Sequence, residues 1–142
     1  MLSVTCKTAI KAVLYLAAKA DTGTNAGIRE IAGAINASEH TVGKLLQTLV
    51  KDQLIHSLKG PAGGFYMSGE QLKRPIIDII SAIDGDALFT SCALGLEQCS
   101  SSHPCPIHQD YMGARELLRK SFSRKKIADL RNLVKEGVVH LA

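Results

Sequence analysis

The chain has 142 residues, 46% of them hydrophobic and 4% aromatic, with 17 Lys and Arg against 13 Asp and Glu. This suits one folded domain, or a small domain with an arm, and excludes a disordered or strongly charged polymer. The net charge of +4 is spread evenly, nine basic over seven acidic side chains in residues 1–84 and eight over six in residues 85–142, so charge alone is a weak argument for nucleic acid.

No apolar run approaches the roughly 18 residues of a membrane-spanning helix, and the start of the chain lacks the basic region, apolar core and cleavage site of a secretory signal. The expectation is a soluble, cytoplasmic protein without a membrane partner. In a reducing compartment, clustered cysteines serve metals or redox chemistry more often than structural disulfides.

In chain order, TCKTAIKAVLYLAAKA (residues 5–20) places Ile10, Val13, Leu14 and Ala17 at helical spacing, and DTGTNAG ends that first helix. GIREIAGAIN puts Ile28, Ile31, Ala32 and Ile35 on one face of a short second helix, closed by an Asn36-Ala37 turn. Ser38 is a natural N-cap for a third, because its hydroxyl can accept from an otherwise unpaired backbone amide. In SEHTVGKLLQTLVKDQ the stripe Val42, Leu45, Leu46 and Leu49 is apolar, while His40, Lys44, Gln47 and Lys51 form the opposite face. Two short helices around so tight a turn, the second with a polar outer face, predict a helix-turn-helix.

The period then changes. Leu54 and Ile55 on one side, and Phe65, Tyr66 and Met67 on the other, bracket KGPAGG, turn chemistry between two short strands. A hairpin after a helix-turn-helix is a wing; its glycines allow close backbone approach, and Lys59 can reach a minor groove. Pro75 starts a further helix in which Ile76, Ile79, Ile80 and Ile83 face a core and which Gly85 stops. Beyond a cysteine loop, Pro106 opens a long helix to about Phe122, and Ser123 caps a last one with Ile127, Leu130, Leu133 and Val134 inward. Arg119, Lys120, Arg124, Lys125 and Lys126 read as a solvated helix end. The fold class is mainly α, a winged helix-turn-helix with a small β-hairpin wing and a long C-terminal helix. Residues 1–84 form the DNA-binding unit, 85–108 the cysteine-rich loop and 106–142 the C-terminal helices.

The loop, SCALGLEQCSSSHPCPIH, holds three of the four cysteines, spaced Cys92-x6-Cys99-x5-Cys105-x2-His108. Such gaps leave slack for three thiolates and an imidazole to gather around one centre, suited to zinc or to an iron-sulfur cluster. Zinc ribbons usually carry tight C-x2-C knuckles, absent here. Cys105-Pro106 lies at a helix start, where free amides favour a thiolate. His108 falls on the first turn of that helix and is preferred to His103 as the fourth ligand. No base, orienting group or oxyanion hole accompanies the cysteines, so an enzyme is not expected. Cys6 reads as a small buried hydrophobe.

The opening TCKTAIKAVLYLA, the helix-turn-helix IREIAGAINASEHTVGKLLQTLVKDQLI, the wing SLKGPAGGF, the helix PIIDIISAIDG and the cysteine loop together resemble the winged-helix transcription regulators of the Rrf-two type, with their IscR and NsrR iron-sulfur branches. The resemblance covers nearly the whole chain. It implies a homodimer joined through the long helix, on a pseudo-palindromic double-stranded DNA operator. The recognition helix would contact bases from Ser38, His40, Thr41 and Lys44, and the wing the minor groove through Ser57, Lys59 and Gly60. It implies that Cys92, Cys99 and Cys105 hold the cluster, with His108 completing a [2Fe-2S] site as in the IscR branch, favoured over [4Fe-4S] and over zinc.

The chain departs from the family pattern at several points. The first cysteine gap is one residue longer, Gly43 stands at an acidic position that chooses between operators, and Lys59 replaces the usual wing arginine, keeping the charge without the planar fork. Thr8 lacks the carboxylate that supplies a ligand in the NsrR branch. The function expected is a DNA-binding transcriptional repressor whose cluster senses iron, redox state or nitric oxide. The alternatives are an apo or zinc-bound thiol-based redox sensor and a metal-binding protein-interaction module that does not bind DNA.

Overall fold

A computed structural model describes all 142 residues: eight α-helices, a short 3-10 turn and one two-stranded antiparallel sheet. No helix is long and apolar enough to cross a membrane.

Helix α1 (Val4–Lys19) buries Cys6, Ala9, Ala12, Val13, Leu14, Leu16 and Ala17, and its alanines let α2 (Ile28–Ile35), α3 (Glu39–Lys51), α5 (Ile76–Asp84) and α8 (Ile127–Lys135) pack against it. Ser3 caps α1 by accepting from the Cys6 amide at 3.0 Å, and its own hydroxyl donates to Asp84 at 2.5 Å, tying the start of α1 to the end of α5. Each large aliphatic side chain sealed in this core contributes about 1.5–3 kcal/mol.

Between α2 and α3, Asn36 adopts the left-handed conformation (φ 53°) and its amide donates to the Ala32 and Gly33 carbonyls. Ser38 caps α3 as expected, accepting from the Thr41 amide at 3.2 Å, and Val42, Leu45, Leu46 and Leu49 are all buried. The far end of α3 is clamped. Buried Gln71 donates to the Gln53 carbonyl at 3.0 Å while accepting from the Ser68 amide, and Arg74 reaches the Asp52 and Gln53 carbonyls.

The wing pairs β1 (His56–Leu58) with β2 (Gly64–Tyr66), in the register His56 to Tyr66, Ser57 to Phe65 and Leu58 to Gly64. Leu54, Ile55 and Met67 lie outside the strands and in the core. Ala26 exchanges two backbone hydrogen bonds with Phe65, at 2.9 and 2.8 Å, which fastens the wing to the segment before α2. In the turn joining the strands a Cβ on Gly63 would stand 2.1 Å from the Leu58 carbonyl oxygen, so only glycine fits.

After the four-residue helices α4 (Gly69–Leu72) and α6 (Ala87–Thr90), too short for periodicity to reveal, α7 spans His108–Arg124. It starts at His108 instead of Pro106 because residues 104–107 complete the cysteine loop as non-helical turns. Helix α8 is capped by Lys126, not Ser123. Its Ile127 amide donates to the Arg74 carbonyl and the Lys125 carbonyl accepts from Ile76, at 2.9 Å each, which draws α8 onto α1. Ile127 is fully buried, Leu130 and Val134 pack on the core, and Leu133 points outward. Ile83, expected inward, is only partly covered.

Gly63→Ala should disorder the wing and lower stability by about 1–3 kcal/mol. Urea denaturation with circular dichroism should show this loss with helix content retained, and an unchanged midpoint would contradict the packing in the wing turn.

Candidate metal centre and nucleic-acid surface

Capping by Ser38 and the buried stripe of α3 turn a polar face outward. His40 and Lys44 are exposed and Thr41 is half-buried; with Thr5, Leu45, Thr48 and Ile83 they line a hollow of about 340 Å³ between α1, α3 and the end of α5. Ser38 is committed locally, since its oxygen accepts from the Thr41 amide and its hydroxyl lies 2.9 Å from the Thr41 hydroxyl. It therefore orients the first turn of α3. Ser57, Lys59 and Gly60 are exposed on the wing. Gln47 and Val50 of α3 share with Ser57, Leu58, Lys59 and Phe65 a trough of about 550 Å³, so the outer face of the helix runs continuously into the wing. Gly43 leaves room for Ile28, whose Cδ1 lies 3.5 Å from where a Cβ would be. Thr5 is absent from the sequence-level candidates, because nothing local marks the first turn of α1 as a neighbour of α3.

The second site is the loop between α6 and α7. The Sγ atoms of Cys92, Cys99 and Cys105 all lie within 4.8 Å of one another, and none of these cysteines is in a disulfide. Cys92 and Cys105 approach to 3.6 Å, while Cys99 lies 3.2 Å from Nδ1 of His108. His108 stands at the Cys99 edge of the sulfur group, outside the set in which every ligand atom is within 4.8 Å of the rest. Its Nε2 is buried and has no hydrogen-bond partner. His103 is exposed; its amide and carbonyl close a turn with Ser100, and its ring contacts the Ser102 hydroxyl.

Backbone amides of Leu96 and Leu94 donating to Cys92 hold its thiol down at about 7, whereas burial pushes the Cys105 thiol above its ordinary value. Cys6 is wholly buried, and desolvation together with the Asp84 carboxylate raises its thiol to about 12. Its burial matches the expectation of a small buried hydrophobe. A tetrahedral ion bound at about 2.3 Å separates its sulfur ligands by roughly 3.8 Å, close to the 3.6 Å between Cys92 and Cys105. The three sulfurs, and an imidazole nitrogen left without a partner, thus fit a metal ion or cluster.

The family described as "Rrf2: Iron-dependent Transcriptional regulator" matches residues 2–133. Among curated proteins, an Aquifex aeolicus protein named as an HTH-type transcriptional regulator is 29% identical over 91% of this chain and 90% of its own length. The Rhodopseudomonas palustris protein BadM, named in the same way, is 33% identical over 76% of this chain and 62% of its own length. Two solved structures share the fold. CymR of B. subtilis, titled the global cysteine regulator, has a TM-score of 0.77 and 20% identity, covering 93% of this chain and 96% of its own. IscR of T. potens has a TM-score of 0.76 and 19% identity, covering 100% and 93%.

In the metal-free protein, alkylation of Cys92 should rise with pH through about 7, because only the thiolate attacks and it is populated above its pKa. Cys105 should react only at higher pH. Peptide mapping after iodoacetamide pulses at several pH values checks the order, and Cys105 reacting first would overturn it.

Proposed function

The chain belongs to the Rrf2 family of transcriptional regulators, and from that premise we propose that it is a homodimeric repressor whose binding to duplex operator DNA is controlled by an iron-sulfur cluster held by Cys92, Cys99, Cys105 and His108. The observation that carries the cluster assignment is the gathering of three free thiols within 4.8 Å of one another, with Nδ1 of His108 at their edge, 3.2 Å from Cys99. Cys92, Cys99, Cys105 and His108 would hold the cluster, and an imidazole among its ligands would tend to raise its potential. When bound, such a group supplies one-electron redox chemistry and susceptibility to iron loss, oxidants and nitric oxide.

The protein's own part is to gather three thiolates and one neutral imidazole. Cys92 ionises readily, Cys105 is shielded, and His108 offers a nitrogen from the first turn of α7. Ligand binding would order the loop between α6 and α7, since a site assembled from distant residues couples occupancy to folding. Helix α7 has no fully buried residue, and its Met112 and Leu117 are exposed, which supports a second copy packing along it. Loop order then biases the relative placement of two recognition helices set about 34 Å apart, a population shift between two arrangements.

On DNA, His40, Thr41 and Lys44 would meet base edges in the major groove, with Ser38 positioning them. Ser57, Lys59 and Gly60 would follow the adjacent minor groove and its phosphates. The trough shared by α3 and the wing supports one continuous DNA-facing surface. A thiol-sensing regulator is the second reading, favoured by the closeness of Cys92 and Cys105, which would let the metal-free pair form a disulfide.

Anaerobic purification followed by iron, acid-labile sulfide and visible absorption decides the cofactor. About two iron and two sulfide per chain support the [2Fe-2S] reading, about four of each would replace it with [4Fe-4S], and one zinc per chain without sulfide ends the cluster reading. For DNA, Lys59→Ala should weaken binding about equally on all sequences and lower the salt slope by about 1. His40→Ala and Lys44→Ala should instead relax base preference by about 1–3 kcal/mol at single positions. Binding isotherms on a set of point-varied operators separate these outcomes, and uniform losses from all three variants would overturn the division of roles.

A further inference from the structure

Three residues of α7 recur every seventh position, His108, Arg115 and Phe122, and therefore share one face of the helix. Each holds a different part of the preceding segment. His108 contacts Cys99 at 3.2 Å, and Phe122 packs edge-on against buried Phe89 of α6 with ring centroids 6.2 Å apart. Between them, one Arg115 amino group donates to the carbonyls of Thr90 and Ser91, at 2.6 and 2.7 Å. Those carbonyls are the end of α6 and the residue immediately before Cys92.

The Arg115 side chain is committed to this task. It has no carboxylate partner, its guanidinium lies over the Tyr111 ring at 5.7 Å, and its Nε is buried with no acceptor. Of the three buried side-chain nitrogens without a partner in the protein, two, Nε2 of His108 and Nε of Arg115, therefore lie on this one helix face. Hydrogen bonds donated by a charged group are stronger than those between neutral groups. They sit where the loop is otherwise held by few buried side chains, since Cys105 alone between residues 91 and 107 is buried.

We propose that Arg115 is a positioning residue that fastens the Cys92 arm of the loop to α7, so that Cys92 is held in register with Cys99 and with His108, which shares the helix face of Arg115. The consequence rests on the cluster reading above: the centre is built against α7 at both ends, from His108 and from Arg115. A displacement of α7 by a second copy would then move both arms together. Two carbonyls are engaged by one amino group of a planar, pre-organised fork, and a lysine ammonium on a flexible stem reproduces the charge without that geometry.

Two variants, Arg115→Met and Arg115→Lys, and two readouts test this. In the metal-free protein, amide hydrogen exchange should accelerate over residues 88–99 in both variants while α1 and α3 keep wild-type protection. In protein reconstituted with ferrous iron and sulfide, release of iron to excess chelator should be about 10-fold faster or more, with Arg115→Lys closer to Arg115→Met than to wild type. Unchanged exchange in the loop overturns the anchor, and unchanged iron release alongside faster exchange overturns its role in holding the ligand set. Full rescue by lysine shows that charge alone acts and also overturns the proposal. If Arg115→Met exchanges globally, Arg115→Lys carries the comparison. If the wild-type chain takes up no iron with sulfide, the cluster reading falls, and loop exchange still decides whether Arg115 anchors Cys92.

Discussion

Burial of one helix on several sides at once organises the molecule. Helix α1 is lined with alanines and aliphatic side chains, so four other helices reach its surface closely, and none of them can shift without opening the shared core. The Ser3 cap bonded to Asp84 joins the entrance of that helix to the exit of α5, while α8 returns along it through Ile127. The outer face of α3 with the wing, and the cysteine loop, are both attached to this hub at one remove.

The two attachments differ in stiffness. The recognition helix is held by its own buried stripe and a cap at one end, and at the other by Gln71 and Arg74 on its terminal carbonyls. The wing is held by the paired backbone of Ala26 and Phe65. The cysteine loop has no comparable hydrophobic support. It depends on Arg115, on the Phe89 and Phe122 contact, and on whatever its sulfurs bind. A firmly held α3 and wing beside a lightly held cysteine loop is the distribution of stability that the proposed switch requires, because a ligand shifts an equilibrium only by the difference in its affinity for the two states.

Much of this was legible without coordinates wherever a pattern is local. Helices α2, α3 and α5 follow from apolar residues at helical spacing, the cap from Ser38, and the wing from glycines that a tight antiparallel turn demands. The exceptions share a cause. Helices α4 and α6, at four residues each, are shorter than one period of useful pattern. Strand limits shifted because Leu54, Ile55 and Met67 are apolar for the core, not for the sheet. The cap of α8 moved to Lys126 because backbone pairing with Arg74 and Ile76 sets where that helix begins.

For the candidate centre, residue types and spacing point to Cys92, Cys99, Cys105 and His108, since ligand chemistry and loop slack are properties of the chain; the fold gathers the three sulfurs and leaves His108 at the Cys99 edge. Which sulfur pairs with which, the unequal acidity of Cys92 and Cys105, and the service of Arg115 to the loop emerge only after folding. Those features depend on distances between residues that are remote in sequence and on the burial of each thiol. A linear pattern contains no information on either until α6 and α7 have packed together.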